Sequence, residues 1–234
     1  MYSDAFCKVY NEFGWNYFPE AFAGQLLLWM EENSLNLHSC LDLACGTGVL
    51  CRHLADAGLR TRGMDFSAGM IQIAREANPH IPFDVADMIT YRPEEKFDLV
   101  TCTGDALNHI LDMENVGKIF QNVSFYLEKG GWFVFDLLNE KEISTEEPFD
   151  LDFSDTVKAQ FQMIREEGGV CLQTTVYENG IQTVREEIHE RVHDVDKICA
   201  LLEEAGLQVV NCGHSLLNTA PREAATWFIK ARKL

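Results

Sequence analysis

Apolar positions change their spacing several times along the chain. From about Pro19 to Glu32, Phe22, Leu26, Trp29 and Met30 recur at helical intervals, which predicts an amphipathic helix. Leu41-Asp42-Leu43-Ala44 is instead a short apolar run that meets Cys45-Gly46-Thr47-Gly48, and Val49 to Leu54 then returns to helical character. The unit is a buried strand, a glycine turn and a helix. It recurs. Arg60 to Asp65 forms a second strand, with Ser67 suited to N-cap a helix through Glu76. Ile81 to Met88 is a third, and Phe97 to Thr103 a fourth, fully apolar one. The helix from about Met113 to Leu127 carries Val116, Ile119, Phe120, Val123 and Leu127 on one face, and Trp132 to Leu138 follows Gly130-Gly131 as a fifth strand. Strands separated by helices predict right-handed βαβ units and a parallel sheet, with the strand tips opening on one rim.

From about Ser154 the period shortens to two. Val157, Ala159, Phe161 and Met163 alternate with Lys158, Gln160 and Gln162, as in a half-exposed strand. Gly168-Gly169 and Asn179-Gly180 turn the chain into three antiparallel strands ending near His193. On the third, Ile188, Glu190 and Val192 share one face, and Glu187, His189, Arg191 and His193 the other. A helix from Asp194 to Ala205, closed by Gly206, precedes two last strands at Leu207 to Val210 and Ala225 to Ala231. The expected fold is α/β: a Rossmann-like seven-stranded, mostly parallel sheet with helices on both faces, plus a small antiparallel insertion before the last helix. One domain is expected over residues 1–234. It comprises an N-terminal lid and helix (1–34), a cofactor-binding core (35–140), the insertion (154–193) and a tail completing the sheet (194–234).

Charge narrows the partners. Lys plus Arg number 19 against 37 Asp plus Glu, a net charge of -18. Phosphates of nucleic acid or of an anionic membrane would be repelled, whereas a cationic cofactor or an amine is compatible. The eight cysteines form no C-x-x-C pair and sit mostly in apolar runs, as buried free thiols do. Met1 to Phe6 lacks the basic and apolar regions of a signal peptide, and no apolar run approaches the roughly 18 residues of a membrane span. These features predict a reducing, cytoplasmic setting.

The glycine turn is the candidate site. A helix N-terminus behind a strand presents amide N–H groups and a positive dipole end to a ligand. Gly46 suits a sharp turn, and Gly48 would let main chain approach a ligand closely. The dinucleotide fingerprint G-x-G-x-x-G fails here, because Ala44, Gly46 and Val49 occupy the glycine positions. No Tyr-x-x-x-Lys pair follows the fourth strand, which further opposes a nicotinamide oxidoreductase. Asp65, at the second strand's end, stands near the roughly 20-residue offset at which an acid accepts hydrogen bonds from a ribose diol. Asp42-x-Ala44-x-Gly46-x-Gly48, followed by Asp65 and Asp87, resembles motif I and its successors in the class I S-adenosylmethionine-dependent methyltransferases. The resemblance is strong over about residues 35 to 140.

It implies S-adenosyl-L-methionine as cofactor and contacts from Asp42, Ala44, Cys45, Gly46, Gly48, Asp65, Phe66, Met70, Asp87, Met88 and Thr103. Asp87 would meet the adenine amine, with Met88 packed on the ring. Tyr10, Phe13, Trp15, Tyr17 and Phe18 crowd the N-terminal stretch. Tyr17 and Trp15 are candidates for a lid over the sulfonium, an attraction of roughly 0.5–2 kcal/mol, while core packing is the other reading for these rings. After the fourth strand comes Gly104-Asp105-Ala106-Leu107-Asn108-His109, without the Asn/Asp-Pro-Pro-aromatic motif of nucleobase or glutamine N-methyltransferases. A small-molecule acceptor, methylated on N or O by in-line displacement, is the implied function. His109 is the candidate base; helix capping or packing is its alternative. Asp105 suits an amine or a turn cap, and Asn139 suits a substrate hydrogen bond. A non-catalytic S-adenosylmethionine-binding protein is the rival reading. No metal site is expected, since the two histidines of the insertion lack a third strong ligand at proper spacing.

Overall fold

The computed structural model describes residues 3, 6–7, 10–11, 14–139, 147–217 and 226–234. Phe13 and the Ala225 start of the last predicted strand lie outside them. Seven strands form one sheet: β1 (Ser39–Leu43), β2 (Arg60–Asp65), β3 (Phe83–Val85), β4 (Phe97–Cys102), β5 (Leu127–Leu138), β10 (Leu207–Gly213) and β11 (Thr226–Lys233). Their spatial order is β10-β11-β5-β4-β1-β2-β3. The β1–β5 pairings are parallel, while β11 runs antiparallel to both neighbours. The chain reverses on either side of β1, so the tips of β1 and β4 leave a crevice between diverging connections. Helices α1 (Tyr17–Glu32), α2 (Val49–Asp56) and α3 (Ala68–Ala77) pack on one face, where Phe22, Leu26, Leu54 and Ile71 are buried. Helices α4 (Met113–Tyr126) and α5 (Val195–Glu204) cover the other through Val116, Ile119, Phe120, Ile198 and Leu202. The capping residues work as their side chains allow. Ser67 accepts from the Met70 N–H, and Asp194 from Asp196 and Lys197.

A second sheet holds four antiparallel strands, β6 (Phe149–Asp152), β7 (Val157–Glu166), β8 (Gly169–Glu178) and β9 (Ile181–Arg191). The insertion therefore has one strand more than the alternation predicts. Phe149-Asp150-Leu151-Asp152 is exposed throughout and pairs only at the sheet edge with β7, so it carries no buried stripe for a sequence pattern to reveal. The inward face of β7–β9 presents Ala159, Phe161, Val176, Val184 and Ile188, which pack with Phe6 and Trp15. The third strand of the main sheet is shorter than expected, because the chain after Val85 closes into a turn in which the Thr90 and Tyr91 amides donate to the Asp87 carbonyl. Among the described residues no helix is long and apolar enough to cross a membrane.

Candidate active site

Beyond β1 the backbone turns sharply: Ala44, Gly46 and Gly48 all have positive φ, at 53°, 53° and 79°. Val49 and Leu50, in the first turn of α2, stand in the wall of a cavity of about 380 Å³, so the positive helix end faces it. The two glycines do different work. A Cβ on Gly46 would meet nothing within 4 Å. On Gly48 it would lie 2.9 Å from the Phe83 ring and 3.1 Å from Ala74. Gly48 thus seats α2 against β3 and α3, and it is not in the cavity wall.

Three acids frame the cavity. Asp42, 1% exposed, accepts from Thr101 Oγ1 at 2.7 Å and from the Cys51 thiol at 3.5 Å. Burial pushes it up to about 7 against those two hydrogen bonds. Asp65 accepts the Gly46 N–H at 3.0 Å on one oxygen and the Ser67 N–H at 2.8 Å on the other. It ties the glycine loop to the tip of β2. Burial raises its pKa, and the amide donors oppose the rise. Asp87 accepts the Ile89 N–H at 2.8 Å, which turns the neighbouring Met88 and Ile89 into the wall.

The wall also includes Ala44, Cys45, Phe66, Met70, Thr103 and His109. Of the other predicted contacts, Tyr17 is out of place. As the first residue of α1 it is 75% exposed and absent from the wall, while Phe18, one residue on, is in it. Trp15 and Tyr10 supply the aromatic side instead. Burial raises the Tyr10 phenol above its ordinary range, and Asp105 and Asp65 add to the rise.

His109 ends a short 3-10 turn, Ala106–His109, held from three sides. Buried Asp136 on β5 accepts the amides of Gly104 and Asp105 at 2.8 and 2.9 Å. Asn108 donates to the Arg191 carbonyl and accepts from the Leu138 amide. His193, predicted on the open face of the third insertion strand, lies beyond the end of β9. It is buried, and its Nε2 donates to the Leu107 carbonyl at 3.0 Å. Asn139, the expected substrate contact, is also buried and outside the wall. Asp105 makes no side-chain cap of the turn. Its carboxylate, the His109 imidazole and the Glu190 carboxylate instead lie within 4.8 Å of one another, with His109 Nε2 and Glu190 at 3.9 Å. Burial lowers His109 and raises Glu190, so neither charge is well solvated. Glu190, Tyr10 and Asp136 were missed by sequence reasoning. The signals were an acid in the inward row of Ile188 and Val192, a tyrosine among core-like rings, and an acid inside the apolar run of β5.

The methyltransferase-domain family matches residues 40–131, the segment from β1 to the start of the apolar half of β5. Over 114 residues the chain is 35% identical to the dTDP-3-amino-3,6-dideoxy-alpha-D-glucopyranose N,N-dimethyltransferase of Streptomyces fradiae, covering 49% of this chain and 45% of that one. Residues 40–131 thus carry a methyltransferase domain. The cofactor that such a domain implies is S-adenosylmethionine. The chain is 26% identical to the Bacillus subtilis (strain 168) protein YqeM over 100% of this chain and 98% of that one, whereas the match spans about half the length of the Streptomyces fradiae relative. Its fold is that of an S-adenosylmethionine-dependent methyltransferase from Clostridium acetobutylicum ATCC 824, with TM-score 0.81, 24% identity and 90% of each chain covered. The residues present fit the cofactor. The cavity volume falls within the range of small-molecule sites. An open glycine loop at a helix N-terminus, acids beyond two strand tips and the apolar Met64, Met70, Met88 and Ile89 offer its charged, polyol and aromatic parts suitable surroundings.

Proposed function

We propose that this methyltransferase carries the methyl group of S-adenosylmethionine to an amine nitrogen of a small molecule, by in-line displacement. The observation that carries this reading is the Asp105–His109–Glu190 cluster, in which His109 lines the cavity and the two carboxylates stand behind it. Two carboxylates beside an imidazole attract a cationic ammonium. A neutral, half-buried His109 can accept the proton that an amine must lose before or during attack. Glu190 and Asp105 then stabilise the imidazolium that forms. The relative from Streptomyces fradiae bears an N,N-dimethyltransferase name for an amino sugar nucleotide, which agrees with an amine acceptor.

When bound, S-adenosylmethionine supplies an electrophilic methyl on a sulfonium. In this reading the Asp42 to Gly46 loop forms the floor under its methionine end, and Asp65 accepts the ribose hydroxyls. Asp87 and Met88 hold the adenine, and Trp15 and Tyr10 close the aromatic side and limit water. The protein's chief contribution is alignment of acceptor and methyl in a dry cavity. The test is S-adenosylhomocysteine release on a panel of amines, alcohols, phenols and carboxylates. Turnover confined to amino-bearing acceptors is expected. Turnover confined to phenols or carboxylates contradicts the amine assignment, and cofactor binding with no turnover on any class favours a binding protein.

A further inference from the structure

We propose that the outer face of the four-stranded sheet is a binding site for a zinc-type divalent cation, held by Cys171, His189 and Glu166 and separate from the cofactor cavity. Three adjacent strands bring the donors together. Cys171 on β8 stands directly opposite His189 on β9 and opposite Ile164 on β7. Glu166 is two residues beyond Ile164 and so returns to the same face. The thiol sulfur, one imidazole nitrogen and one carboxylate oxygen all lie within 4.8 Å of one another. His189 Nδ1 and Glu166 Oε2 already approach to 2.9 Å. None of the three lines the cofactor cavity.

The donor set selects the metal class. A thiolate, an imidazole and a carboxylate suit zinc and its late first-row neighbours, whereas magnesium and calcium prefer oxygen donors throughout. Thiolate and carboxylate together balance a divalent charge, and three protein donors leave a fourth tetrahedral position to water. Donors about 2.0–2.3 Å from a shared zinc must draw closer than they stand here. Cys171 is 3% exposed and fixed, but the His189 and Glu166 side chains are 49% and 43% exposed and free to rotate inward. Binding exchanges the Cys171 thiol proton for the metal and releases that proton to solvent; nothing is oxidised or reduced. The ion would clip β7, β8 and β9 together behind Ile188 and Glu190, the neighbours of His189 that face the opposite way, toward the active site.

The full-length, reduced, metal-free protein should bind one equivalent of Zn²⁺ in competition with a chromophoric chelator, without competition from Mg²⁺. Co²⁺ should give the thiolate-to-metal charge-transfer absorption of a sulfur ligand. Cys171→Ser should abolish that band, while the Cys199→Ser/Cys212→Ser double variant keeps it. His189→Ala and Glu166→Gln, at exposed positions, should each weaken Zn²⁺ binding by about tenfold or more, and they decide the matter should Cys171→Ser fail to fold. Absence of stoichiometric binding, or affinity unchanged in both exposed-site variants, overturns the proposal, as does a charge-transfer band that survives in folded Cys171→Ser.

Discussion

Asp65 uses its two oxygens to hold Gly46 and Ser67, so its removal should loosen the loop and delete the proposed ribose contact together. Asp65→Ala should weaken S-adenosylhomocysteine binding by about 1–3 kcal/mol in calorimetry, and an unchanged affinity would take Asp65 out of the site. His109 acts at a different stage. His109→Gln should lower kcat while leaving the cofactor Kd in place, and wild-type turnover would refute the base role. The acid limb of the pH profile belongs to the His109–Glu190 pair as a unit. Protonation of that pair removes the proton acceptor, so kcat rises with pH through its titration. The glycines and strand-tip acids were legible because backbone conformation and diol chemistry demand those residue types. Tyr10 and Glu190 were not, since which ring reaches a cavity and which carboxylate reaches His109 depends on packing between segments far apart in sequence.

Gly63 shows how elements are fitted together. A Cβ there would lie 2.6 Å from the Phe83 ring and 2.8 Å from the Cys45 sulfur, so β2 meets the Phe83 ring of its neighbour β3 and the cofactor loop with no room to spare. Gly63→Ala should lower the denaturant midpoint by an amount corresponding to about 1–3 kcal/mol and weaken cofactor binding through Cys45. Stability equal to wild type would show that the loop yields freely. At this scale the sequence was informative wherever a face is buried. The helical stripes of α1 and α4, the apolar β4 and the alternating β7 all declare themselves. The exposed edge strand β6 does not, and β3 was read too long because Ala86 and Met88 flank Asp87 in strand-like alternation while the chain turns from Met88 to Thr90.

Across the molecule, buried Asp42 and half-buried His109 pull stability in opposite directions with pH. Asp42 is raised to about 7, so between its unfolded value and that point the folded state binds the proton more tightly. Stability therefore falls as pH rises through this window. His109, lowered by burial to about 4, contributes the reverse slope between about 4 and its unfolded value. Asp42→Asn should flatten this decline by about 1–3 kcal/mol between pH 4 and 7, read from denaturant curves at several pH values; an unchanged slope would mean that Asp42 is solvated. Net charge of -18 sets the same bias toward cations that the active site shows locally. The amine assignment is tested most directly by kcat/KM for an amino acceptor against its hydroxyl isostere, in the wild type and in Asp105→Asn/Glu190→Gln. The account predicts a strong amine preference that collapses when both carboxylates are neutralised; a hydroxyl preference, or an amine preference untouched by the substitutions, would contradict it.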